Sequence, residues 1–209
     1  MRRFTLALLA TLLLTSVSHA QLLTNGSFEL PVSNGDNQII AGGDSTSITG
    51  WTTLLSGVER FGPPTFALGA AADGTIVIDI CPSTFTGGGI TQTFATTPGM
   101  EYVLNFQAGT ANSFGRTGDY ISTVSVGNMI QQFSGVNLSS TIVWETFTVP
   151  FTAQDAATTV TFTNGQNANT HFSFIDAASV TVVPEPGTAG LLALPAMFVW
   201  LRRRKAIRP

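Results

Sequence analysis

Between Leu22 and Val183 no stretch of the chain carries a sustained 3.6-residue apolar stripe, and this constrains the fold more than any other feature. The run Thr159-Val160-Thr161-Phe162-Thr163 alternates strictly instead. Residues two apart share one side of an extended strand, so this run has one apolar face and one threonine face. Phe147, Val149 and Phe151 alternate in the same way, as do Ile76, Ile78 and Ile80 around Val77 and Asp79. Further strands are predicted over residues 103–106 and 121–126. Gly87-Gly88-Gly89, Pro98-Gly99, Gly115 and Gly118 punctuate them. Many short strands with turn signals between them predict an all-β fold, a jelly-roll β-sandwich. Two long polar connections stand out, 32–47 and the glycine-rich 109–120. Loops at the ends of a sandwich are where binding residues usually sit.

The two ends of the 209-residue chain read differently. Arg2 and Arg3 precede an apolar stretch over 4–17, and Ser18-His19-Ala20 supplies small residues for cleavage, which predicts a signal peptide over 1–20. Near the other end, Pro184 and Pro186 flank Glu185, hold the backbone extended and remove two amide donors. The apolar run 188–201 then spans about 21 Å as a helix, against about 30 Å for a bilayer core. Arg202-Arg203-Arg204-Lys205 follows and should stay on the cytoplasmic side. This order of motif, hydrophobic helix and basic stop resembles the PEP-CTERM sorting signal of Gram-negative bacteria. The resemblance implies an exosortase-type membrane protease as partner. It also implies a transient stay in the inner membrane and delivery to the cell surface or extracellular matrix. A plain tail anchor is the alternative. The predicted organisation is a signal peptide at 1–20, a β-sandwich domain at 21–183 and a sorting tail at 184–209.

Setting the ends aside changes the charge. Residues 21–183 hold 11 acids against two cations, Arg60 and Arg116, a formal charge of −9. Nucleic acid needs a basic footprint, so nucleic-acid binding is excluded, and docking on anionic lipid is disfavoured. Cys81 is the only cysteine, so no intramolecular disulfide can form; it is read as a small buried hydrophobe.

Several short motifs follow one another: Asn25-Gly26-Ser27-Phe28-Glu29, Gly50-Trp51, Gly88-Gly89-Ile90-Thr91-Gln92-Thr93-Phe94, Pro98-Gly99-Met100-Glu101-Tyr102-Val103, and Phe174-Ile175-Asp176-Ala177-Ala178. The succession resembles the galactose-binding-like jelly rolls, in particular the bacterial choice-of-anchor surface domains. In several such modules an early Glu and a late Asp hold a structural Ca²⁺, and by position these are Glu29 and Asp176. Calcium takes six to eight oxygen ligands. Ala177 departs from the family pattern, which places a second acid or amide there. The alternative is that Glu29 caps a turn and Asp176 accepts backbone hydrogen bonds.

Sugar binding uses an aromatic platform with polar groups that reach hydroxyls. The glycine-rich connection offers Phe114, Arg116, Asp119 and Tyr120, with Tyr120 or Phe114 stacking on the sugar. Trp51 and Trp144 are read as core. Catalysis is poorly supported: His171 is the only histidine beyond the signal, no Gly-x-Ser-x-Gly elbow occurs, and zinc would need more His or Cys. The expectation is an exported, non-catalytic module that binds extracellular polysaccharide. A structural matrix protein without a ligand and a secreted glycan or ester hydrolase are the alternatives.

Overall fold

The computed structural model describes residues 21–32, 37–62, 68–83 and 87–184. The predicted signal peptide, the apolar run 188–201, Glu185 and Pro186 lie outside them; Pro184 is the last described residue and is exposed. Among the described residues no helix is long and apolar enough to cross a membrane. The strands are β1 (Gln38–Ile40), β2 (Thr52–Leu55), β3 (Val58–Phe61), β4 (Val77–Asp79), β5 (Gly88–Ala95), β6 (Glu101–Thr110), β7 (Asp119–Val126), β8 (Met129–Val136), β9 (Val143–Thr152), β10 (Ala157–Asn164) and β11 (Phe174–Val182). They form a six-stranded sheet, β1-β3-β4-β11-β6-β9, and a five-stranded sheet, β2-β5-β10-β7-β8. Neighbouring strands run antiparallel throughout. The chain is the predicted all-β jelly-roll sandwich.

The period-2 pattern decides what lies between the sheets. Val160 and Phe162 of β10, Leu104 and Phe106 of β6, Val124 and Val126 of β7, and Ile78 of β4 all enter one core with Trp51. Phe106 and Phe162 meet edge to face at 4.9 Å, and Phe106 and Phe133 at 5.0 Å. Each such side chain removed from water contributes about 1.5–3 kcal/mol. On the opposite side of β10, Thr159 and Thr161 pair their hydroxyls with Thr93 and Thr91 of β5 at 2.8 and 2.9 Å.

Alternation alone predicts a half-buried β4, yet Val77 and Asp79 are as buried as Ile78. A second apolar cluster explains this: Phe61, Leu68, Val77, Ala111, Ile142, Phe172 and Phe174 pack together. Phe61, Val77 and Phe174 come from neighbouring strands of the six-stranded sheet, on the side away from the main core. Leu68, Ala111 and Ile142 come from connections that cross that side, tied by Ile142 N–H to Leu68 O (2.7 Å) and Trp144 Nε1–H to Ala70 O (2.9 Å). β3, β4 and the start of β11 are therefore covered on both faces, while β1 and β9 keep exposed positions.

The motif at 25–29 is a clasp for the N-terminal segment. The Asn25 side chain donates to Leu30 O and Thr49 O and accepts from Leu30 N–H, while Trp51 Nε1–H donates to Asn25 O. A Cβ at Gly26 would lie 1.8 Å from Ala178 O, so only glycine fits against β11. Leu22 N–H bonds Val180 O, and Val183 N–H bonds Glu101 O. Both ends of the described chain thus leave at one end of the sandwich. At the other end of β11, Ser173 N–H bonds the Asp79 carboxylate.

Candidate functional site

The end of the sandwich away from the termini holds a cleft of about 290 Å³. Its lining is Asn37, Glu59, Phe61, Ser83, Phe114, Arg116, Asn169 and Phe172. Phe61 and Phe172 are members of the second apolar cluster, so the cleft opens where that cluster reaches the surface. Phe172 stacks on Phe174 at 4.9 Å and meets Phe61 at 6.3 Å, which fixes the ring positions. Phe114 behaves differently: it is 75% exposed, with φ of 51°. A left-handed conformation costs a non-glycine residue about 1–2 kcal/mol. Here it lets the turn closed by Arg116 N–H to Ser113 O (2.9 Å) hold the ring out at the cleft.

Arg116 carries one wall. Its guanidinium donates to Asp79 Oδ2 at 3.1 Å and to His171 O at 2.9 Å, and lies 3.6 Å over the Phe172 ring. Burial pushes the Asp79 carboxyl up to about 7, while Arg116 and the Ser173 and Cys81 amides pull it down and Glu59 adds to the rise. With a cation and two N–H donors on it, Asp79 has its own partners and none is left for a ligand. Glu59 differs. It is 5% exposed, lines the cleft, and accepts from Ser83 N–H at 3.1 Å.

The sequence-predicted ligand residues divide. Phe114 and Arg116 do line one cleft, although Arg116 is also a structural ion-pair partner. Tyr120 is a correction: it is 2% exposed and packs in the main core against Phe133, so its ring offers no face to a sugar. The reason is a strand boundary. The connection ends earlier than its composition suggests, Asp119 starts β7, and Tyr120 shares the inward parity of Ser122, Val124 and Val126. Asp119 points the other way. Its carboxylate accepts from Thr117 Oγ1–H and faces His171 Nε2 at 3.3 Å, outside the cleft lining. His171 Nδ1 lies 2.7 Å from Thr170 Oγ1 and 3.2 Å from Asn167 O. The His171 ring is thus held by Asp119, Thr170 and Asn167, outside the cleft lining. Cys81 is fully buried, and burial pushes its thiol up to about 12, which suits an inert side chain.

Glu29 and Asp176 converge on one turn. Glu29 Oε1 accepts from Thr75 N–H and Ile76 N–H at 2.8 and 2.7 Å, and Oε2 from Thr75 Oγ1–H at 3.0 Å. Asp176 Oδ2 accepts from Ala72 N–H and Asp73 N–H at 2.8 and 2.9 Å, and Oδ1 from Ala177 N–H at 2.6 Å. Burial pushes the Asp176 carboxyl up to about 7 despite these donors. Calcium needs oxygen atoms turned inward, whereas here N–H groups are. No group of three or more His, Cys, Asp or Glu able to hold a metal occurs among the described residues. This donor set fits a hydrogen-bonded turn and does not fit a calcium cage.

Glu59, Phe61, Phe172, Asn37, Ser83 and Asn169 carry no motif, and sequence reading assigns them no site. One signal was available: Phe174 and Ile175 are adjacent and both apolar, which marks a strand buried on two sides.

The family profile described as "Protein of unknown function (DUF642)" matches residues 21–180. A comparison with curated proteins found no match. Among solved structures, a CBM4 structure is 16% identical with a TM-score of 0.47, covering 77% of this chain and 99% of its own. A TmCBM61 structure in complex with beta-1,4-galactotriose is 14% identical with a TM-score of 0.45, covering 78% and 99%. A family 35 carbohydrate binding module from Clostridium thermocellum is 16% identical with a TM-score of 0.43, covering 69% and 97%. At this level the likeness carries no argument about function, and the cleft has to be read from its own residues.

Proposed function

We propose that this chain, which belongs to the DUF642 family, is an exported, non-catalytic carbohydrate-binding module whose glycan enters the cleft between Phe114 and Glu59. One observation carries the reading: three phenylalanines and five polar side chains line a single open cleft at a loop end. A sugar ring has a face of C–H groups and a rim of hydroxyls. Aromatic surface takes the face, while carboxylate, amide and guanidinium groups fix the rim, as in concave ligand sites generally. The cleft is shallow and small, so affinity is weak and one or two sugar residues are held.

Retention on polysaccharide affinity gels tests this, with Phe114→Ala as the variant. Phe114 is a surface side chain, so its removal should change stability by about 0.5 kcal/mol or less. Retention by at least one neutral or matrix polysaccharide, lost in Phe114→Ala, supports the reading. Equal retention of the variant, or no retention of the parent by any polysaccharide, overturns it in favour of a matrix protein without a ligand.

The reading extends to the tail. Pro184, Glu185 and Pro186, the apolar run and the basic stop act as a sorting signal read by an exosortase-type membrane protease. That places the module on the cell surface or in the extracellular matrix. Mass spectrometry of the mature C-terminus decides this. An end near 184–187 supports it, and persistence of residues through Pro209 overturns it.

A further inference from the structure

We infer that the cleft selects glycans bearing a free amine, an unacetylated amino sugar, over uronic-acid glycans and over their N-acetylated counterparts. This rests on the cleft being a glycan site, and it names the chemistry of the sugar. Among the described residues three ionisable groups shape the cleft wall: Glu59, Arg116 and, behind Arg116, Asp79. Arg116 Nη1 is held by Asp79 at 3.1 Å and by the His171 carbonyl at 2.9 Å, and the Arg116–Asp79 pair is 8% and 0% exposed. Among the described residues Glu59 makes no ion pair, and its hydrogen bond comes from the Ser83 amide. A carboxylate 5% exposed and turned to a cleft is poorly solvated, and a ligand group that satisfies it gains most.

An ammonium group does so better than a hydroxyl. Both make charge-assisted hydrogen bonds to a carboxylate, and only the ammonium adds the attraction of opposite charges. The exposed Phe114 ring favours the same ligand, because a ring face attracts cations and repels carboxylates. A uronate would bring a second negative charge beside Glu59. The wider field agrees: residues 21–183 carry a formal charge of −9, which draws a cationic polymer toward the surface and repels a polyanion.

The test is calorimetric titration of the purified chain with three oligosaccharides of matched length at about pH 6: fully deacetylated glucosamine, N-acetylglucosamine and galacturonate. The deacetylated oligomer should bind about 10-fold more tightly than the acetylated one, and the galacturonate most weakly. Glu59→Gln keeps the shape and removes the charge, so it should abolish the preference. General attraction to an acidic protein would survive that substitution. Should Glu59→Gln fail to fold, Phe114→Ala gives a second reading, since the preference should vanish with the cleft whereas general attraction to an acidic protein would not. Equal affinity for amine and acetamide, tighter binding of the uronate, or a preference unchanged in Glu59→Gln overturns the inference. The cleft reading survives those results provided Phe114→Ala still abolishes binding. Absence of binding by every sugar overturns both.

Discussion

Asp176 and Glu59 are both buried carboxylates on the six-stranded sheet, and they differ in what the protein has given them. Asp176 takes three backbone N–H groups and locks the turn at 72–76 from one side, as Glu29 does from the other. Glu59 takes one N–H and borders a cleft. The first stands in a motif and resembles a metal ligand; the second stands in no motif. A buried acid is free for a ligand only to the extent that the chain leaves its oxygens without donors. Counting donors separates the two where residue type cannot.

The sharpest way to break this comparison is at Arg116, which joins the cleft to the fold. Arg116→Met leaves Asp79 buried without its cation, and breaking one partner of such a pair costs about 3–5 kcal/mol. The melting temperature should fall by about 10 °C. A loss of glycan binding with unchanged melting would instead make Arg116 a ligand group alone.

A smaller effect is expected from pH. Burial raises the Asp176 and Asp79 carboxyls to about 7, above the roughly 3.9 of an unfolded chain. An acid whose pKa is raised by folding stabilises the fold below its unfolded value and loses that contribution as pH climbs through the folded value. Thermal stability should therefore decline between about pH 5 and pH 8, by several degrees. Asp176→Asn should flatten the part of the slope that belongs to the turn. A stability flat across this window, with a rise confined to below about pH 4, would place both carboxyls below their ordinary range.

The smallest effect is a null. Excess EDTA should leave the melting temperature unchanged, since amides already hold Glu29 and Asp176. A drop of more than a few degrees would put calcium back between them.

Sequence and structure agree where a side chain's environment follows from its neighbours along the strand. Ile76, Ile78, Val160 and Phe162 were legible as core because a period of two is a local property. Tyr120 was not, because a shift of one residue in where β7 begins turns it from loop to core. Glu59 was not, because a four-residue strand buried at every position has no contrast to read. Phe172, Asn37 and Asn169 reach the cleft from connections far apart in the chain, and only the sheet order brings them together. The strand β8 has no alternation of burial over its first four residues, all exposed, so no pattern announced it.

β11 begins beside the cleft and ends at the residues that lead into the tail. Its ladder to β6 runs from Phe174↔Gly109 to Val182↔Tyr102, and Leu22 N–H ties it at Val180. Nine residues at about 3.3 Å each separate the two ends by roughly 26 Å. Anything joined beyond Pro184 therefore pulls along the strand axis, and the ladder bonds share that load in shear instead of unzipping in turn. Tension applied at the C-terminal end of β11 would be carried to its cleft end, so two opposed loads would meet along one strand.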